Sequence, residues 1–322
     1  MAGVSVPRLC LGVDMERRTL RFIIIAAAAA AVAVILLLWK PTALIYGIQS
    51  AGLYAAIGLP MALILGIVGI INLAHGEFMM VAAYLAYWFC VKSGLDPFVA
   101  IIPVAVALFL MGILTYKATI QRVLKAPELN QLILTFGIAM VFGQTVNLIF
   151  TSQPRKLSVS YATASVKIGE LSFGVFDFVY IGVAVIFLFG LLLFLRRTKL
   201  GKAAVAVGQN PKGAKLVGIN VNRTYMIIFA IAVAMVGIMG SIFITRRSIF
   251  PMVGGAYTMK SFALIAMAGI GNLTAILWCS LGLGIAESFI MSFRGYGGWA
   301  DIVFFALIII VIMVRSYRRK EG

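Results

Sequence analysis

The sequence predicts an all-α integral membrane protein, a polytopic helical bundle of about nine to ten membrane-inserted helices with a broken or re-entrant segment. Three observations predict it. Of the 322 residues, 63% are hydrophobic and 11% charged, whereas soluble domains run at roughly 45–50% and about 25%. Apolar runs close to the roughly 20 residues that a helix needs to cross hydrocarbon recur along nearly the whole chain. The 27 Lys and Arg residues collect in a few segments between those runs, the distribution that retention of basic residues on the cytoplasmic side produces.

The elements follow in order. Phe22 to Trp39, behind Arg17, Arg18 and Arg21, is longer than a signal-peptide core and runs into Leu38, Trp39, Lys40 and Pro41 rather than a small-residue cleavage site. A retained first helix is expected. Ala43 to Gly66 makes a second span, interrupted by Gly58 and Pro60. Ile67 to Glu77 sets Asn72, His75, Gly76 and Glu77 among apolar neighbours and leads into Phe78 to Val91, so a broken segment is expected there. Further spans read as Phe98 to Leu114, Gln131 to Phe150, Phe176 to Leu195, Tyr225 to Ile244, Ser261 to Ile270, Leu273 to Met291 and Ile302 to Val314. Only Gly271 and Asn272 divide the pair beginning at Ser261 and Leu273, which suggests a tight hairpin or two half-helices.

Orientation comes from the basic connections. Arg8, Arg17, Arg18 and Arg21, then Lys117, Arg122 and Lys125, then the bases between Arg196 and Arg223, then Arg315, Arg318, Arg319 and Lys320 all belong in the cytoplasm. The chain thus divides into a cytoplasmic segment 1–21, a transmembrane domain 22–314 that includes a cytoplasmic segment 196–223, and a basic tail 315–322. The Ser-rich stretch Thr151 to Gly174 falls outside. So do Arg246 and Arg247, against the charge rule.

Several function classes drop out. The net charge of +17 forms no face on a soluble domain, so no nucleic-acid partner is expected. Cys10, Cys90 and Cys279 have neither metal-ligand nor disulfide spacing. One histidine and no paired carboxylates leave no catalytic residues, no metal site and no bound cofactor to propose.

Three constellations remain. In Asn72 to Glu77, burying His75 and Glu77 at membrane depth costs several kcal/mol unless they find partners or line a wet cavity. They border a solute pathway, or else Glu77 caps a helix starting at Phe78 while His75 bonds to a neighbouring helix. In Gly201 to Asn222, Asn210 is an N-cap type, Pro211 suits a first helical position and Gly218 suits a C-cap. A short helix outside the membrane follows, its apolar side holding Ala214, Leu216 or Val217. It meets a partner protein, or it lies on lipid headgroups through Lys202, Lys212 and Lys215.

The order GLYAAIGLPMALILGIVGIINLAHGEFMMVAAYLAYW, then GKAAVAVGQNPKGAKLVGIN, then ALIAMAGIGNLTAILWCSLGLGIAES resembles the permease subunits of bacterial ABC importers for branched-chain amino acids, from about Gly47 to Val314. The INLAHGE element is its most specific part and resembles the first of the two permease types. The resemblance implies an inner-membrane pore subunit working with a second permease subunit, two cytoplasmic ATPase subunits and a periplasmic or extracellular solute-binding protein. ATP is then used by a partner, in keeping with the lack of a GxxxxGK[ST] loop here. By resemblance, Asn72, Ala74, His75, Gly76 and Glu77 match the family's membrane motif. Gly201, Ala203, Ala214, Leu216, Gly218 and Ile219 match its ATPase-docking segment, to which the reading of residues above adds Val217. Where relatives show an acidic pair this chain has Gln209 and Asn210, and Val205 replaces a common basic residue, which puts an ion pair with the ATPase in doubt.

Gly269, Gly271, Gly282 and Gly284, with Ala266, Ala268 and Ala286, allow helix backbones to approach closely, for packing or as a hinge. Glu287 is the other buried acid, expected to pair with Lys260 or Arg294 or to line the pathway. A passive channel with a re-entrant pore segment is the alternative function, since a broken segment carrying Asn72 is similar to pores of the aquaporin kind.

Overall fold

A computed structural model describes residues 40–168 and 171–293, together with 298, 299, 302, 304–306, 308, 309 and 313. The expected first helix, the segment 1–21, the tail 315–322 and Arg294 lie outside the described residues. The span expected from Ile302 to Val314 is described only in part, with helical backbone at its described positions.

Helix α1, Pro41–Leu63, starts on a proline and continues through a widened turn, Ile64–Val68, to Gly69 at φ 74°. The interruption expected at Gly58 and Pro60 does not occur. Pro60 sits inside the helix, and Gly58 gives room to Leu264, 3.2 Å from where a methyl group would stand. Residues 69–74 are not helical, and α2 is His75–Ser93. Helix α3, Pro97–Thr115, is capped by Asp96, which accepts from the Phe98 N–H at 2.8 Å, and runs on as a widened turn to Val123. Helix α4 is Glu128–Phe150.

The Ser-rich connection holds a hairpin of β1, Ser165–Ile168, and β2, Leu171–Gly174, in antiparallel register with Ser165 opposite Gly174. Helix α5 is Val179–Arg197, followed by the short α6, Lys199–Gln209, and α7, Pro211–Leu216. Then come α8, Val221–Arg246, α9, Gly254–Ala268, and α10, Leu273–Met291. Helix α9 begins seven residues before the expected Ser261, because Gly254 and Gly255 can start a helix where it crowds against another backbone.

Among the described residues, six helical stretches are long and apolar enough to cross a membrane: Pro41–Val68, Pro97–Val123, Glu128–Phe150, Val175–Arg197, Val221–Arg246 and Leu273–Met291. Those containing α1 and α8 are mostly buried and form the centre, while those of α3, α4 and α5 turn most of their surface outward. In α3, Ala100, Val104, Leu108 and Gly112 face inward one turn apart, and Ile102, Val106, Leu110 and Leu114 face outward. An outer stripe that apolar suits lipid.

The chain repeats its own plan in reverse. Gly47 of α1 meets Ile285 and Gly284 of α10, and Gly66 meets Gly271, so α1 and α10 run antiparallel. Likewise Gly112 of α3 meets Ala230 of α8, Leu108 meets Gly237, and the Tyr116 hydroxyl bonds to Asn222 at 2.8 Å. A long helix, a break, a second helix and a third thus occur twice, as α1, α2, α3 and as α8, α9, α10. One face of the bundle carries α6, where Gly208 touches Gly66 and Ile67 at the end of α1. The other carries residues 151–178, where Arg155 bridges to Ile249 just after α8 and Gln49 donates to the Gly174 carbonyl at 3.1 Å. Helices α1 and α8 therefore run in opposite directions, as do the two halves.

Candidate functional site

The two breaks meet. Residues 69–74 bring the chain back from the end of α1 so that His75 Nε2 bonds to the Ile57 carbonyl at 2.9 Å. Ile57 stands about 16 Å before the end of that stretch, at 1.5 Å per residue, so α2 starts well inside the bundle. Residues 247–253 bring α9 to the same level from the opposite face, and Gly76 and Gly254 lie backbone to backbone. A methyl group on either would overlap the other's main chain. Only glycine permits this approach.

Two helix N-termini thus face each other with N–H groups that no intrahelical carbonyl can satisfy. Each is capped by a side chain of the other. The Gly76 N–H donates to Thr258 Oγ1 of α9 at 2.8 Å, and the Glu77 carboxylate of α2 lies against the Gly255 N–H, which also donates to the Met252 carbonyl at 3.3 Å. The Met252 N–H also reaches Met80 Sδ at 3.1 Å. Asn72 Oδ1 accepts from the Ala74 N–H, and Thr135 of α4 donates to the Ile71 carbonyl, which fixes the connecting strand. Three buried atoms keep no partner among the described residues: Asn72 Nδ2, His75 Nδ1 and Glu77 Oε2.

The expected bond from His75 to a neighbouring helix is present. The expected cap by Glu77 on its own helix is not: α2 begins at His75 behind Ala74, which makes no side-chain cap, and Glu77 serves α9 instead.

Glu287 pairs with Lys260 at 2.7 Å, one of its two expected partners. Its second oxygen accepts from the Tyr54 hydroxyl, which in turn accepts from Lys260 Nζ at 2.9 Å. The ammonium also lies over the rings of Tyr54 and Phe304, 4.8 and 5.1 Å from their centroids. One charge pair thereby joins α1, α9, α10 and the final helical stretch. Glu287 and Tyr54 line a cavity of about 560 Å³ that is also walled by Gln49, Asp177, Tyr180, Arg246 and Arg247. Arg246, on the face carrying residues 151–178, binds Asp177 at 3.0 Å.

On the other face, Thr198 caps α6 by accepting from the Gly201 N–H, and Gly201 packs against the Phe194 carbonyl where no side chain would fit. Ala204 and Val207 are buried against the bundle while Ala203 is half-buried. Asn210 caps α7 by accepting from the Gly213 N–H at 2.9 Å, Pro211 takes the first position, and Gly218 closes the helix at φ 85°. Ala214 turns inward. Leu216 and Val217 are 89% and 77% exposed, and Gln209 is exposed beside Asn210. Of the glycine series, Gly284 makes a close contact with α1, Gly269 and Gly271 turn the chain with positive φ, and Gly282 faces open space.

The structure therefore gathers Asn72, His75, Gly76 and Glu77 into one junction, Glu287 into a separate cavity, and the candidate coupling residues onto a distant face. Sequence reasoning missed Thr258, Gly254, Tyr54, Asp177 and the helix α6. Only α6 left a readable signal, in Thr198 ahead of Ala204 and Val207 at helical spacing.

A family model described as branched-chain amino acid transport system, permease component, matches residues 43–312. The high-affinity branched-chain amino acid transport system permease protein BraD of Pseudomonas aeruginosa is 28% identical, over 84% of this chain and 92% of that protein. The corresponding protein LivH of Escherichia coli is 27% identical over 83% and 91%. The fructose import permease protein FrcC of Rhizobium meliloti is 24% identical over 85% and 77%. No solved structure matches the chain.

Proposed function

The chain belongs to the family of branched-chain amino acid transport permease components, and from that premise we propose that it is the pore-forming subunit of an ATP-driven importer that carries branched-chain amino acids across the inner membrane. It is a multi-pass membrane protein. The proposed bundle takes in α2, α9, the expected first helix and the final stretch, which brings it to the nine to ten inserted helices suggested by the sequence. The junction of α2 and α9 then lies near the bilayer midplane, where broken helices are tolerated because protein surrounds them.

The observation that carries the reading is α7: a short helix, capped at both ends, that holds Leu216 and Val217 exposed outside the bundle. Two apolar side chains held rigidly in water need a partner groove, and ATP hydrolysis on two separate cytoplasmic subunits supplies the partner. A second permease subunit and a solute-binding protein complete the proposed complex. A passive channel has no use for such a surface. We assign Asn72, His75 and Glu77 to transport through the junction they hold. Opening it would bring water to their three unpartnered atoms and so offset part of the cost of parting the half-helices.

Co-purification tests the docking surface. Leu216→Asp places an unpaired charge in the interface, at a cost of a few kcal/mol, and is expected to release the ATPase and abolish leucine uptake by the reconstituted complex. Lys212→Ala, at an exposed rim position, is expected to change binding by no more than about 1 kcal/mol. Retention of both the ATPase and uptake by Leu216→Asp would refute the assignment.

A further inference from the structure

Arg247 stands just beyond α8, where the second break begins. Its backbone is held there by the Phe243 carbonyl at 2.9 Å and, two residues on, by the bridge between Ile249 and Arg155. It lies on the face where retention of basic residues disfavours an arginine. Its neighbours have partners: Arg246 binds Asp177, and Lys260 binds Glu287 and Tyr54. The guanidinium of Arg247 has neither ion pair nor hydrogen bond among the described residues. It lines the cavity of about 560 Å³ and also a second cavity beside Phe243 and Tyr257.

Tyr180 adds an independent observation. It is 1% exposed, lines the same cavity, and its hydroxyl has no hydrogen-bond partner among the described residues. A buried hydroxyl left unpaired costs about 1–3 kcal/mol, so a ligand that accepts from it gains what the empty site lacks. A planar fork of N–H donors together with one O–H donor matches a carboxylate. One turn before Tyr180 on the same wall of the cavity, Asp177 uses only one carboxylate oxygen on Arg246, and its other oxygen can accept from an ammonium. Ala43, Tyr46 and Met291 supply apolar wall.

We propose that this cavity is a binding site for the zwitterion of an α-amino acid, with its carboxylate on Arg247 and Tyr180 and its ammonium toward Asp177. The site opens on the face carrying residues 151–178, where a solute arriving from outside would first meet this subunit. It rests on the proposed import of amino acids and adds a site on the permease itself, whose two charged ends select the amino-acid backbone while the apolar wall tolerates different side chains.

The test is saturation-transfer NMR of L-leucine with the full chain in nanodiscs, beside uptake by the reconstituted complex. Leucine is expected to bind wild type, and leucinamide, which lacks the carboxylate, is expected not to. Arg247→Gln should weaken binding about tenfold or more and Tyr180→Phe about fivefold, the losses that follow from removing a charged and a neutral hydrogen bond. Arg247→Lys, which keeps the charge but not the fork, controls for folding and should fall between Arg247→Gln and wild type. Lys92→Gln, an exposed base outside the cavity, should bind as wild type. Equal binding of leucine and leucinamide, no binding by wild type, or full binding by both Arg247→Gln and Tyr180→Phe would overturn the site. If wild-type complex takes up leucine while these variants match it, only the site fails; if wild-type complex takes up no branched-chain amino acid, the transport reading fails.

Discussion

The two breaks, 69–74 and 247–253, occupy equivalent places in two inverted halves and are built from different chemistry. The first carries Asn72 and leads directly into His75 and Glu77 of α2, all buried, and so sends polar side chains into its surroundings. The second enters α9 through Val253, Gly254 and Gly255 and offers mainly backbone. The difference follows from how two opposed helix N-termini can be satisfied. Local carbonyls take only part of the need, Asn72 for the His75 N–H and Met252 for the Gly255 N–H, so α2 adds a carboxylate, α9 adds a hydroxyl, and a glycine on each side brings the main chains into contact. Symmetry of backbone does not require symmetry of sequence.

The first test breaks the comparison at its centre. Gly76→Val and Gly254→Val each drive a side chain into backbone that has nowhere to move, and each should cost about 3 kcal/mol or more, at the upper end of overpacking. Thermal unfolding in detergent should show both variants failing alike. Tolerance of one and not the other would mean that the two halves do not share a single contact.

Next comes the charge pair of the second half, which has no counterpart among the described residues of the first. Lys260→Met and Glu287→Leu should each destabilise by about 3–5 kcal/mol, because each leaves the other charge buried and unpaired, whereas the double variant should recover most of that loss. A double-variant cycle on unfolding midpoints measures it. Additive losses would show that the pair is not coupled.

A smaller effect sharpens the reciprocity. Thr258→Val removes the acceptor for the Gly76 N–H and should cost about 1–3 kcal/mol, and Glu77→Ala should cost less, because the Gly255 N–H keeps the Met252 carbonyl. Hydrogen exchange should report the loss at the N-terminus of the opposite helix, not at the substituted one. Exchange that rises only locally would contradict mutual capping.

These contrasts also show what the sequence made legible. Apolar length marks α1, α4 and α10 because crossing hydrocarbon demands it, and Asn210, Pro211 and Gly218 mark α7 because caps act within a few residues. His75 and Glu77 were visible as polar groups in an apolar run. Their partners were not, since Ile57, Gly255 and Thr258 are set by the fold and no spacing announces them. Pro60 misled because a proline in a wide, well-packed helix can be absorbed, with Ile64–Val68 widening just after it. The inverted repeat was hidden altogether: around Gly76 and Gly254 the two breaks share little beyond that glycine. Arg246 and Arg247 stood out against the charge rule, and their setting beside Asp177 and Tyr180 gives the departure a physical context.

The central claim is that α2 and α9 leave their junction toward opposite faces of the membrane. On a chain with Cys10, Cys90 and Cys279 replaced, single cysteines at Lys92, beyond the middle of α2, and at Ile270, just after α9, report it directly; both positions are exposed. An impermeant maleimide applied to intact cells is expected to label the cysteine at 92, and the one at 270 only after the membrane is opened. Labelling of both positions from the same side would contradict the inverted arrangement.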